Sequence, residues 1–212
     1  MTWRDIATIA FNVSAGVLRL HNKGICHRDI AARNVLLDRT AEGVSGLVCD
    51  FGLSRVLKPG ADQGTIIDGE DIICAEHLAP EGWREGVYSR QTDVFSFGIF
   101  LFELCVRSEP YPGTSCKADI PEKVAEGLRP AIPKQLNIPE SLTKLMQRCW
   151  HADWRMRPTM AAINVELEAI CRLDQHMKEP IRLGGIGKLS EYQDVCMQHS
   201  TMSDRSSRRG TT

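Results

Sequence analysis

Three side chains that could carry out acid–base and metal chemistry lie in two short stretches of this sequence. Asn34 follows His27-Arg28-Asp29 at a distance of five residues from the aspartate, and Asp50 follows a short apolar run. A carboxylate can accept the proton of an attacking hydroxyl, and carboxylate and amide oxygens are the ligands that Mg²⁺ prefers. Each residue taken alone is equally typical of a surface turn, so the interpretation depends on their order and spacing.

The order and spacing resemble the protein-kinase signature, in which H-R-D-x-x-x-x-N precedes D-F-G. The resemblance implies an enzyme that transfers the γ-phosphate of ATP to a protein, with ATP and Mg²⁺ as cofactors. It implies that Asp29 orients the acceptor hydroxyl and that Asn34 and Asp50 bind Mg²⁺ at the phosphates. It also implies that Leu36 forms the floor under the adenine ring.

The resemblance extends from residue 3 to about residue 174. Ala79-Pro80-Glu81 is similar to the A-P-E that closes a kinase activation segment, and residues 88–104 are similar to the central buried helix of the kinase C-lobe. Residues 110–113 and 149–159 are also family-like. The implied fold is mainly α: the C-terminal lobe of the protein kinase-like fold, with short β-hairpins at the catalytic loop.

The resemblance implies structural roles for further residues. They are His27 and Phe51, stacked in the spine that joins the two lobes; Asp93, which supports the catalytic loop; and Glu81, paired with Arg157. The charged residues could also be ordinary surface charges. Asp93, however, interrupts an apolar helical pattern, which favours a buried carboxylate with partners.

The acceptor is predicted to be tyrosine. Ala31-Ala32-Arg33, with Arg33 as a further catalytic-loop residue, resembles the tyrosine-specific form of the loop, whereas serine/threonine kinases usually place a lysine two residues after the aspartate. Residues 73–78 depart from this pattern. They lack the proline and the basic-aromatic pair of typical tyrosine kinases, and also the threonine of serine/threonine kinases. A serine/threonine kinase of the tyrosine-kinase-like group therefore stays an alternative.

Control of the activation loop is predicted from Arg28, because an arginine at this place usually binds a phosphate on the loop. Residues 53–78 contain no tyrosine, so a phosphotyrosine of this loop cannot pair with Arg28, and two other groups could take its place. Thr65 could be phosphorylated by another kinase, or the acidic residues 68–71 could occupy the place of the phosphate. The acidic run could equally be a solvated loop.

Residues 1–26 contain neither a glycine-rich loop nor a strand lysine, the N-lobe elements that clamp ATP. The expectation is a C-lobe without its N-lobe. Two function classes follow: an incomplete tyrosine-type kinase domain that is inactive alone, and a non-catalytic lobe that binds partners.

Elements that would position these residues are visible in the apolar periodicity. A stripe from Ile6 to Leu20 predicts a helix that ends at Asn22-Lys23-Gly24. Short strands are expected at 35–37 and 47–49, a long loop at 53–78, and helices at about 91–106, 117–126, 139–150 and 160–174. The domain would span 1–174, and the polar residues 175–212 are expected to be a disordered tail.

Composition excludes some classes of partner and location. A net charge of −1 provides no basic surface for nucleic acid. The longest apolar run, 94–106, is too short to span a membrane and contains Glu103. The 8 cysteines are scattered without metal-ligand spacing, which is typical of reduced thiols. We expect a cytoplasmic location, either as a free protein or as the cytoplasmic part of a larger receptor.

Overall fold

Helices dominate the computed structural model, which describes residues 1–41, 43–66, 74–114 and 116–173. Within those residues the helices are α1 (Trp3–Asn22), α2 (Pro80–Glu85), α3 (Arg90–Val106), α4 (Ile120–Ala125), α5 (Glu140–Cys149) and α6 (Met160–Leu173). The strands are β1 (Ile25–Cys26), β2 (Val35–Thr40), β3 (Gly43–Val48), β4 (Arg55–Val56), β5 (Gln63–Thr65) and β6 (Val87–Ser89). The expected mainly α fold with short hairpins is confirmed.

The first helix leads into the loop that contains Asp29 and Asn34. A capping box starts it: Asp5 N donates to Thr2 Oγ1 at 3.2 Å, and Thr2 N donates to Asp5 Oδ2 at 2.6 Å. Its apolar stripe is fully buried from Ile6 to Val17, and the helix packs against α6 and β3. The helix ends at Asn22, and Gly24 takes the left-handed conformation (φ 72°) that favours glycine at a helix end.

The central helix, α3, is buried around nearly its whole circumference. Phe95, Phe97, Phe100 and Leu101 are each at most 1% exposed. Gly98 allows the closest approach to α5, because a Cβ atom there would lie 2.8 Å from Cys149 Cβ. Such a helix has no polar face to show to solvent, so a charged residue within it needs a specific partner.

Most of the expected elements are present, with two corrections. The loop expected over 53–78 contains β4 and β5, and strands of two or three residues are too short to show a periodicity. The helix expected over 117–126 is a 3₁₀ turn at Lys117–Asp119 followed by α4, with Pro121 in the first turn of the α-helix. Residues 174–212 lie outside the described residues, and so does the expected tail.

Three antiparallel ladders lie near the candidate site residues. β1 pairs with β4, β2 with β3, and β5 with β6. In the second ladder Val35 is opposite Val48 and Leu36 is opposite Leu47. The hairpin therefore brings the residue before β2, Asn34, beside the residues after β3, which lead to Asp50.

Two general expectations concern the membrane and the cysteines. In the described ranges, no helix combines the length and the apolar character that crossing a membrane requires. The described cysteines, which are all except Cys196, are free thiols.

A buried ion pair ties α2 to the segment that precedes α6. Arg157 donates from Nη1 to Glu81 Oε1 at 2.6 Å and from Nη2 to Glu81 Oε2 at 2.8 Å. Arg157 also donates to the carbonyl oxygens of Gln91 and His151, and its guanidinium lies over the ring of Phe95. The arginine side chain is fully buried, so loss of the carboxylate would leave an uncompensated charge.

Glu81→Ala should therefore lower the free energy of unfolding by about 3–5 kcal/mol, measured by urea titration. The matched control is Glu166→Ala, which breaks the partly exposed pair with Arg148 and should cost less than about 1 kcal/mol. Equal midpoints for the Glu81 variant and the unmodified chain would contradict a stabilising role for the buried pair.

Candidate active site

Asp29 lies in the loop between β1 and β2, and two residues of the following 3₁₀ turn hold its carboxylate. Asn34 Nδ2 donates to Asp29 Oδ2 at 2.7 Å and to the Asp29 carbonyl at 2.8 Å. The Arg33 guanidinium pairs with the other oxygen, Oδ1. The carboxylate is 13% exposed, so it is held in one orientation and is still partly accessible to solvent.

Charge supports this arrangement. Burial alone would lower the pKa of Arg33, but the charges of Asp29, Cys74 and Glu103 together outweigh it and hold the pKa above its ordinary value. Arg33 therefore stays cationic. Since the amide nitrogen of Asn34 is used by Asp29, its amide oxygen is the atom left to bind a cation.

Pairing of β2 with β3 brings Asp50 close to Asn34 in space. Cys49 N donates to the Asn34 carbonyl oxygen at 2.9 Å, which extends the ladder toward both residues. Asp50 is exposed and has a left-handed backbone (φ 62°), with Gly52 N donating to its Oδ1 at 3.1 Å. Positive φ in a residue other than glycine is uncommon, and such strain is concentrated at functional sites.

An apolar face accompanies these polar groups. Leu36 and Leu47, opposite each other in the ladder, are 59% and 65% exposed, and Phe51 is 51% exposed. The ring of Phe51 lies 5.3 Å, centroid to centroid, from the buried ring of His27. The structure thus places Leu36 on an accessible apolar surface and brings His27 and Phe51 together.

Asp93 anchors the start of the catalytic loop. Its side chain is fully buried and accepts from the backbone N–H groups of His27 (2.8 Å) and Arg28 (2.9 Å). His21 Nε2 lies 2.8 Å from the same carboxylate. Arg28 has a positive φ of 71°, so a hydrogen bond to its N–H fixes an otherwise unfavourable backbone turn. His21 was missed from sequence, because only folding brings α1 to α3.

Arg28 contacts Tyr88 of β6, and Thr65 lies on the strand paired with β6. The Arg28 guanidinium is 4.7 Å from the centroid of the Tyr88 ring, and its Nη1 donates to the Leu53 carbonyl at 3.3 Å. Thr65 is exposed in β5, opposite Val87. The acidic residues 68–71 lie outside the described residues.

A second buried charged group, missed by sequence reasoning, lies behind the catalytic loop. Glu103 of α3 accepts from Ala32 N at 2.9 Å, and the same oxygen is 3.1 Å from His77 Nε2. Burial lowers the pKa of His77, but Glu103 and Cys74 outweigh it and raise the pKa to about 10. The available signal was Glu103 itself, a lone carboxylate in an apolar helix.

Comparison with known proteins gives one family and several relatives. The family model described as protein tyrosine and serine/threonine kinase matches residues 1–167. The mast/stem cell growth factor receptor Kit of Canis lupus familiaris is 36% identical over 160 residues, which are 75% of this chain and 16% of that protein. Vascular endothelial growth factor receptor 1 of Mus musculus is 32% identical over 189 residues, 88% of this chain and 14% of that protein. The chain thus spans about a sixth or less of the length of these relatives.

The raised pKa of His77 predicts a pH dependence. A group whose pKa rises on folding stabilises the fold below its unfolded pKa, here 6.5, and this contribution is lost as pH rises through about 10. The unmodified chain should lose unfolding free energy across this window, and His77→Gln should lose much less. Urea titrations at several pH values measure this, with His151→Gln, at an exposed site, as the control.

Cys74 titrates with the opposite sign, because its pKa is lowered on folding. Repeating the comparison in a Cys74→Ser background isolates the imidazole. Identical pH slopes with and without His77 in that background would contradict the assignment.

Proposed function

Since the chain belongs to the protein tyrosine and serine/threonine kinase family, we propose that residues 1–174 act as the C-terminal lobe of a catalytic domain that phosphorylates protein tyrosine. The observation that carries the proposal is the hydrogen-bonded set of Asp29, Arg33 and Asn34 next to Asp50. Phosphoryl transfer needs positioned oxygens and charge more than covalent chemistry, and this set supplies both.

Asp29 accepts the proton of the acceptor hydroxyl. Its two oxygens are held by Arg33 and Asn34, so the carboxylate points in one direction before the substrate arrives. Positioning of this kind accounts for much of the rate in reactions that join two bound reactants. Arg33 also keeps positive charge at the place where the transferred group approaches.

Asn34 and Asp50 fit Mg²⁺, because both offer oxygen donors beside each other at the end of the β2–β3 ladder. The ion, when bound, neutralises the phosphate charge that develops during transfer. Leu36 and Leu47 offer an apolar surface on which the adenine ring of ATP would lie. Residues 1–26, which precede the candidate site, contain neither a glycine-rich loop nor a strand lysine, so they do not supply the clamp on the phosphates.

The proposal that the acceptor is tyrosine is based on Ala31-Ala32-Arg33. Residues 73–78 are typical of neither tyrosine kinases nor serine/threonine kinases, so the acceptor must be tested. The similarity to proteins named growth factor receptors supports a cytoplasmic location as part of a receptor. We therefore also propose that the substrate is a protein accessible to the cytoplasmic part of a receptor.

Activity should depend on added N-lobe elements and on Asp29. Residues 1–212 alone should transfer no measurable phosphate from ATP and Mg²⁺ to tyrosine or serine peptides. Fusion of a related kinase N-lobe before Thr2 should restore transfer to tyrosine, and Asp29→Asn in the fusion should reduce it by a factor of about 10²–10⁴. The control is Asp38→Asn, an exposed strand residue, which should keep full activity.

Three results would contradict the proposal. Robust transfer by residues 1–212 that Asp29→Asn abolishes would mean that the N-lobe elements are not needed. Transfer to serine alone would mean that the acceptor is wrong. A fusion with bound ATP and no transfer would favour a binding module.

Control without loop phosphorylation is a separate proposal, supported by the placement of Arg28 against Tyr88 and Leu53. In the active fusion, Thr65→Ala should keep activity and Arg28→Ala should reduce it. The triple variant Asp68→Asn, Glu70→Gln and Asp71→Asn should reduce activity as much as Arg28→Ala does. The variant that combines these changes with Arg28→Ala should be no less active than either variant alone. Loss of activity in Thr65→Ala with full activity in the acidic variant would mean control by another kinase.

A further inference from the structure

A cysteine and a buried histidine meet on the segment that precedes α2. Cys74 Sγ, a carboxylate oxygen of Glu76 and a ring nitrogen of His77 all lie within 4.8 Å of one another. Cys74 is partly accessible to solvent, whereas the His77 side chain is 3% exposed. A thiol is thus placed at the surface with an imidazole directly behind it.

The imidazole of His77 is placed to act as a buried cation. Its Nε2 is 3.1 Å from Glu103 Oε2, and this oxygen accepts a hydrogen bond from Ala32 N at 2.9 Å. Both ring nitrogens of His77 are buried, and neither has a hydrogen-bond partner among the described residues. A buried N–H group without a partner is costly, and a neighbouring thiolate would accept a hydrogen bond from it.

This arrangement is one form of an activated nucleophile, in which an adjacent imidazolium stabilises the thiolate and a third group holds the imidazolium in place. We propose that Cys74 is a reactive thiol, activated by His77 and Glu103, and that it is a site of covalent modification by soft carbon electrophiles. Because His77 is protonated at pH 7, the thiol proton is released to solvent and the thiolate remains beside the imidazolium. The sulfur then forms a bond to the electrophilic carbon, and the leaving group departs with its electron pair.

The surrounding charges favour the thiolate on balance. Burial raises the pKa of Cys74, but His77 and then Arg33 outweigh it, so that the pKa lies below the ordinary value. Glu76 opposes ionisation, since its Oε2 is 4.0 Å from Cys74 Sγ, yet Lys117 Nζ lies 3.0 Å from the other oxygen of the same carboxylate. Glu103 faces His77 and stabilises the imidazolium that lies beside the thiolate.

Other cysteines of the chain provide the contrast. Cys105 and Cys149 are fully buried in the core, and their pKa values are raised by loss of hydration. Cys116 is more exposed than Cys74. If exposure alone decided reactivity, Cys116 would react faster. Nothing in the chemistry of Cys74 requires the phosphoryl transfer proposed above.

The experiment measures alkylation of each cysteine in one molecule. The reduced 212-residue chain is treated with limiting iodoacetamide at pH 7 in the presence of a chelator, and the modified peptides are quantified by mass spectrometry. A thiol with an ordinary pKa is only a few per cent ionised at pH 7, so Cys74 should react roughly tenfold faster than Cys116, after allowing for the lower nucleophilicity of an acidic thiol. In 8 M urea, about the concentration that unfolds most domains, this ratio should fall to about one.

Two variants test the activation. His77→Gln and Glu103→Gln should each lower the Cys74 rate toward that of Cys116 and leave the Cys116 rate unchanged, whereas His151→Gln should change neither. Should the first two variants not fold, the ratio in the unmodified chain with and without urea decides the question.

Three outcomes would overturn the inference. One is a Cys74 rate at or below that of Cys116 in the folded chain. Another is a fast rate that persists in folded His77→Gln. A third is a fast rate that appears only when chelator is added, since it would mean that Cys74, Glu76 and His77 hold a metal ion instead.

Discussion

The buried carboxylate of Asp93 is the interaction on which the functional part of this structure depends. A fully buried charge is tolerated only when hydrogen bonds replace its hydration, and here the partners are the backbone of His27 and Arg28 and the imidazole of His21. The N–H groups of the loop therefore stabilise the buried carboxylate, and the carboxylate in turn stabilises the conformation of the loop. Because Arg28 has a positive φ, the loop would relax without this anchor, and Asp29 would change direction with it.

A second carboxylate on the same helix repeats this principle. Glu103 binds the catalytic loop at Ala32 and the segment before α2 at His77. Helix α3 thus carries two buried anions, one near each end, and each holds backbone or imidazole groups of segments distant in sequence. The rigid, apolar body of the helix fixes the spacing between these two attachment points.

Sequence patterns predicted the parts of this structure that are local. The helical stripe of α1, the glycine at its end and the continuous apolar runs in β2 and β3 are each signals contained within a short stretch of sequence. β4 and β5 have too few residues for such a signal. His21 and His77 could not be assigned because their partners are on α3, and no periodicity records a contact of that range. The kinase resemblance supplied the pairing of Glu81 with Arg157, which spacing alone could not.

The β2–β3 hairpin restricts how the length of this chain can change. Each strand adjoins a candidate site residue just beyond the same end of the ladder, and β3 turns alternate residues toward α1, where Gly46 lies against Ile9. An insertion inside either strand would shift Asn34 relative to Asp50 by about 3.3 Å and exchange the two faces. The connection between Thr40 and Gly43 is at the opposite end of the ladder. Residues added there would change neither the position of Asn34 relative to Asp50 nor the face on which each side chain lies. Insertions and deletions among natural variants should therefore be confined to that connection, while the two strands keep a constant length.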